Sequence, residues 1–159
     1  MNDLNSFNRA PASAPVESTL TPVGNPFKMR VVDENEKTLG FISFKKSGLY
    51  NQYGVISDEK DAVIFQINED DSGKQLWEMK SGIAKGYFLG VTPNFWLCSA
   101  RESLSQYFYY SKKDSTVRVD TVPRYPLSVQ GESKVGDWIA VYDLKDYRAL
   151  RIQLDENIS

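Results

Sequence analysis

The sequence predicts an all-β fold, and three observations carry that expectation. The chain of 159 residues is 13% aromatic, with nine Tyr, eight Phe and three Trp, and aromatic and β-branched side chains favour pleated, half-buried surfaces. Short apolar runs alternate with turn-forming residues, and no window of a dozen residues carries a helical stripe. Apolar positions also recur at a fixed period: Val55, Leu97 and Ile139 stand 42 residues apart. Repetition at that period implies copies of one supersecondary unit sharing a core.

Each element follows from its residues. Residues 1–24 are rich in Asn, Ser, Pro, Ala and Thr without apolar periodicity. Such a segment buries too little to offset its ordering entropy, and is expected to form a flexible arm. From Phe27 onward the expected strands are 27–32, 39–44, 53–57 and 63–68 in a first unit. A second unit spans 75–80, 87–92, 95–100 and 106–111, and a third spans 116–121, 125–130, 138–142 and 149–154. Turn-formers separate them, among them Ser47-Gly48, Asp70-Asp71-Ser72-Gly73, Thr92-Pro93-Asn94 and Gly136-Asp137, where Gly and Asn reach positive φ cheaply and Pro pre-sets a bend. The closing strands repeat as well, with Phe65, Phe108 and Leu150 followed two residues later by Ile67, Tyr110 and Ile152. Residues 143–149 are short and charged, and one helical turn is expected there.

Three copies of a four-strand unit resemble the β-trefoil superfamily. The residues that carry the resemblance are Tyr87-Phe88-Leu89-Gly90-Val91, echoed by Gly40-Phe41-Ile42-Ser43 and Tyr125-Pro126-Leu127-Ser128-Val129, with the closing strands. The resemblance implies a β-trefoil domain over residues 25–159, in which two strands of each unit join a six-stranded barrel and two form a cap hairpin. Closure of that kind leaves few free sheet edges. The triplet Gln-x-Trp that marks ricin-type lectins is missing from the closing strands, so no site residues carry over from that family. Residues 30–39 are similar to the opening hairpin of interleukin-1-type cytokines.

Composition narrows the chemistry. With 19 basic against 21 acidic residues, the chain lacks the cationic excess that phosphate neutralisation demands, so a nucleic-acid partner is not expected. The same balance argues against a heparin-type polyanion. Histidine is absent, which removes the commonest general base near neutrality and the commonest transition-metal ligand. The single Cys98 forms no internal disulfide and reads as a small buried hydrophobe. The loop 68–73 has oxygen ligands at alternate positions, but Met79 stands where a calcium loop requires a bidentate Glu. No phosphate-cradling glycine motif or nucleophile elbow is visible. No catalytic residues, cofactor or metal are therefore expected. No stretch approaches membrane-spanning length and no conventional secretory signal is visible. Synthesis in the cytoplasm is expected, with unconventional export open.

Binding remains. A saccharide site needs an aromatic plane for the apolar face of a pyranose, with amides or carboxylates for its hydroxyls. The hairpins bring both together: Tyr50, Asn51 and Tyr53 in the first, Asn94, Phe95 and Trp96 in the second, Asp137 and Trp138 in the third. Trp96 and Trp138 lie 42 apart, each one residue before a core position, and are expected to point away from the core. Gly54 takes the corresponding place in the first unit, which allows two such platforms. The expected function is lectin-like recognition of a glycan or glycoprotein. The alternative is a protein-interaction trefoil (a receptor ligand, protease inhibitor or filament binder), for which Tyr107 and Tyr109 are candidate contacts.

Overall fold

The computed structural model describes residues 19–48 and 51–158, and the fold is all-β. Its strands in chain order are β1 (Thr21–Val32), β2 (Thr38–Ser47), β3 (Asn51–Ser57), β4 (Ile64–Glu69), β5 (Gln75–Met79), β6 (Phe88–Val91) and β7 (Leu97–Ala100). They continue as β8 (Phe108–Ser111), β9 (Thr116–Val119), β10 (Leu127–Gln130), β11 (Ala140–Val141), β12 (Tyr147–Ala149) and β13 (Arg151–Asp155). Short 3-10 turns cover Glu59–Asp61 and Glu102–Leu104.

The first seven strands close a barrel in the order β1-β2-β3-β7-β6-β5-β4, with β4 returning to β1. β1 closes the ring because it bends. Its first half pairs with β4, from Thr21 opposite Glu69 to Lys28 opposite Ile64. Its second half pairs with β2 on one side and β13 on the other. The bend is a register shift between Val23 and Phe27, where Gly24 adopts φ +72, a backbone state that costs glycine little. The carbonyls freed there are satisfied from β4: the buried Gln66 amide donates to the Val23 carbonyl at 3.1 Å and to the Gly24 carbonyl at 3.2 Å. The remaining strands form the hairpin β8–β9 and the group β11-β10-β12.

A single core runs through these pieces. Met29, Ile42, Ile56, Phe65, Trp77, Leu89, Leu97, Phe108, Val129, Ile139, Leu150 and Ile152 are all buried in it. Trp77 meets Phe27 edge-to-face, with centroids 5.5 Å apart, a geometry worth about 0.5–1.5 kcal/mol beyond area burial.

Three differences from the sequence reading follow from backbone chemistry. The expected arm runs to residue 24, yet β1 begins at Thr21, because an open edge on β4 offers its backbone groups partners. Residues 1–18 lie outside the described residues. The expected helical turn at 143–149 is a reversal closed by Tyr147 N–H to the Leu144 carbonyl at 2.8 Å, leading into β12. The third difference is one of register. Segments 53–55, 96–98 and 138–140 meet in a closed triangle: Tyr53 opposite Cys98, Trp96 opposite Ala140, Trp138 opposite Val55. Within it, Leu97 N–H donates to the Ile139 carbonyl and Ile139 N–H to the Gly54 carbonyl, each at 3.0 Å. The residue that meets Leu97 and Ile139 is therefore Gly54, not Val55. A Cβ at Gly54 would lie 2.6 Å from Leu97 Cδ2 and 3.1 Å from its Cγ, so the Leu97 side chain fills the space that a missing side chain leaves. Val55 is also buried, but outside the central core, facing the way Ser43 faces across β2.

Gly54→Ala overpacks this contact and is expected to destabilise the fold by about 1–3 kcal/mol. Denaturant midpoints should show it with the slope unchanged. In combination with Leu97→Ala, the double variant should lose less than the sum of the two single losses.

Candidate binding site

Because Gly54, Leu97 and Ile139 meet at the triangle, strand alternation turns their predecessors outward. Those predecessors are Tyr53, Trp96 and Trp138. The first segment thus contributes a tyrosine where the sequence reading placed Gly54, and three aromatic side chains stand at this end of the barrel. Trp138 is 41% exposed, while Tyr53 and Trp96 are half-buried. Tyr53 and Trp138 meet edge-to-face, centroids 6.4 Å apart and planes at 87°. Of the three, Trp138 is the most exposed.

The polar residues divide. Asn94 is exposed in the turn before Trp96 and makes no hydrogen bond among the described residues. Asp137 is half-buried and partly used: its Oδ2 accepts the Lys134 N–H at 3.0 Å, and its carbonyl accepts the Ile56 N–H at 3.0 Å. It shapes the turn that presents Trp138, with Oδ1 left over. Asn51 opens β3 opposite Ser47. Tyr50 lies outside the described residues. The neighbours of the Tyr53–Cys98 pair are tied to each other on the opposite face: Ser99 donates to Gln52 Oε1 at 2.8 Å, and Gln52 Nε2 donates to the Ile83 carbonyl at 3.2 Å.

A second aromatic group occupies the turn at 92–96. Phe95 N–H donates to the Thr92 carbonyl and Thr92 N–H to the Trp96 carbonyl, both at 2.9 Å, a tight reversal with a left-handed residue at its exit. That residue is Phe95, at φ +70, where a bulky side chain costs about 1–2 kcal/mol. Its ring stacks on Tyr142, centroids 4.6 Å apart and planes 9° off parallel. Tyr125 stands edge-on to both rings, and Tyr147 packs against Tyr142. Phe95 remains 40% exposed above a groove of about 390 Å³ lined by Val91, Pro93, Val122, Pro123 and Tyr125. The turn was legible in Thr92-Pro93-Asn94, but the positive φ was not, since the usual signal is a glycine.

The titratable groups are tied into structure. The Asp70 carboxyl sits at about 2, held down by hydrogen bonds from the Ser72 side chain and from Tyr107. Its Oδ1 accepts Ser72 N–H at 2.8 Å and Ser72 Oγ at 2.6 Å, and its Oδ2 accepts the Tyr107 hydroxyl. This loop is a turn with both carboxylate oxygens occupied. The Tyr107 hydroxyl is pushed up by the same contact, and the ring lies 5.5 Å from Lys74 Nζ. Phe108 is buried, and Tyr110 packs against the core with its hydroxyl on the Ile152 carbonyl at 2.7 Å. Asp114 also sits at about 2: burial pushes it up, and hydrogen bonds from Thr116, Ser111 and Arg118 outweigh that. The Cys98 thiol is half-buried and raised to about 11 by burial, which keeps it protonated at neutrality. Among the described residues no group of three or more His, Cys, Asp or Glu side chains is placed to hold a metal ion. No helix among them is long and apolar enough to cross a membrane.

No family model, curated protein or solved structure matches the chain.

A depressed carboxyl stabilises the fold above its unfolded value and loses that contribution as pH falls through the folded one. For Asp70 the loss falls between the ordinary 3.8 and about 2. A carboxyl NMR titration should place its midpoint in that low range, and Tyr107→Phe should move it back toward 3.8 and reduce the acid-dependent loss.

Proposed function

We propose that the chain is a non-catalytic, lectin-like binding protein of β-trefoil architecture, taking a carbohydrate at the end of the barrel where the triangle closes. The observation that carries the reading is the outward placement of Tyr53, Trp96 and Trp138, with Trp138 exposed. A pyranose ring offers axial C–H groups on one face and hydroxyls around its edge. An indole covers the first, and the free oxygen of Asp137 beside Trp138, or Asn94 in the turn before Trp96, suits the second. The trefoil reading is supported by the way three segments spaced 43 and 42 residues apart meet head to tail. It is supported also by their closing partners: Phe65, Phe108 and Leu150 each follow the triangle residues Gly54, Leu97 and Ile139 by 11 positions, and all six are buried.

The protein-interaction alternative has one observation of its own. Phe95 is held partly exposed against its backbone preference, over an apolar groove, and strained residues concentrate at functional positions. An exposed aromatic beside an apolar groove suits an anchor side chain of a protein partner better than a hydroxylated sugar.

Titration with saccharides at millimolar concentration, followed by tryptophan fluorescence, separates the two. Trp138→Ala should reduce saccharide affinity at least about tenfold, the loss of one stacking contact worth ~1.4 kcal/mol, while leaving the melting temperature nearly unchanged because the ring is 41% exposed. Phe95→Ser should leave saccharide binding intact. Absence of any saccharide response in the folded protein would remove the lectin reading and leave the protein-binding one.

A further inference from the structure

We infer that the saccharide taken at this end of the barrel carries an acidic group, received by lysines around the cavity beside the aromatic residues. The inference rests on the carbohydrate reading and adds the charge of its ligand. The cavity has a volume of about 830 Å³ and is bordered by Lys28, Lys45, Lys46 and Lys60, a size that suits a small organic ligand. None of the four ammonium groups forms an ion pair or hydrogen bond among the described residues, although Glu59 and Asp61 stand on the same rim. Four cations against two carboxylates make a local excess on a chain whose formal net charge is −2.

Register joins this cavity to the aromatic site. Lys45 is directly opposite Tyr53 across the β2–β3 pair, and residues directly opposite project from one face with Cβ atoms about 5 Å apart. Val55, which lines the cavity, is opposite Trp138. Lys45, whose side chain has no ion-pair partner among the described residues, therefore shares a face with the tyrosine that meets the Trp138 indole. A saccharide stacked there has a carboxylate, sulfate or phosphate substituent within reach of Lys45, and the remaining lysines reinforce the field. The two rim carboxylates oppose a polyanion, so the chemistry fits a single acidic group on a mostly neutral sugar.

The test uses the full chain and defined probes. Neutral galactose and N-acetylglucosamine are compared with glucuronic acid, N-acetylneuraminic acid and galactose 6-sulfate, which separate the carboxylate from the sulfate source; inorganic sulfate and phosphate serve as sugar-free controls. The acidic sugars should bind about tenfold more tightly than the neutral ones at roughly 20 mM salt, and the gap should shrink by about 500 mM, where screening is strong. Lys45→Gln with Lys60→Gln should remove the preference and leave neutral-sugar binding and the melting temperature unchanged. Equal affinity for neutral and acidic sugars overturns the inference while the carbohydrate reading stands. Binding of inorganic anions as tight as that of the acidic sugars also overturns it, by reducing the cavity to an anion site. No binding by sugars of either kind overturns both.

Discussion

The contact between Leu97 and the bare backbone of Gly54 is the constraint on which the rest of the structure depends. A side chain at position 54 has no room, so the three segments can approach closely enough for Leu97 and Ile139 to bond backbone to backbone around the triangle. Once they meet, alternation leaves no choice about the neighbours: Tyr53, Trp96 and Trp138 turn outward. The core packing and the candidate site are thus two faces of one closure.

Barrel closure is achieved by a different device, one long strand serving two partners. β1 divides its backbone groups between β4 and the β2 and β13 edges, and the bulge at Gly24 makes the division possible. Gln66 fills the hydrogen-bonding deficit that the bulge creates, a buried amide that makes three bonds to backbone carbonyls. With the amide satisfied, polar burial here costs little. The ring then leaves β13 as the strand paired to β1 outside the closure, and Ile158 beyond it lines the same cavity that the lysines border.

Much of this was legible in the sequence. All twelve expected strands have counterparts within a few residues, because alternation and turn chemistry are local signals. The register of the first segment was not, and the reason is specific. Matching apolar to apolar selects Val55, whereas packing matches the volume of Leu97 to the absence of one at Gly54. A trace of the true register is visible in the spacing: with Gly54 the step to the closing strand is 11 residues in every case, and with Val55 the first step is 10. That single shift hides the equivalence of Tyr53, already among the hairpin aromatics, to Trp96 and Trp138. The lysines were illegible for another reason, since Lys28, Lys45 and Lys60 lie on separate elements and only the fold brings them to one cavity. The left-handed backbone of Phe95 was illegible because it is set by the two hydrogen bonds of the turn, not by the residue's own propensity.

Amide hydrogen exchange at Leu97 and Ile139 tests the closure most directly. These two N–H groups donate across the triangle, so the account expects both to exchange only through global unfolding, as slowly as the most protected barrel amides. Exchange many times faster, with the barrel intact, would mean that the segments do not meet as described and that nothing holds the three outward aromatics in place.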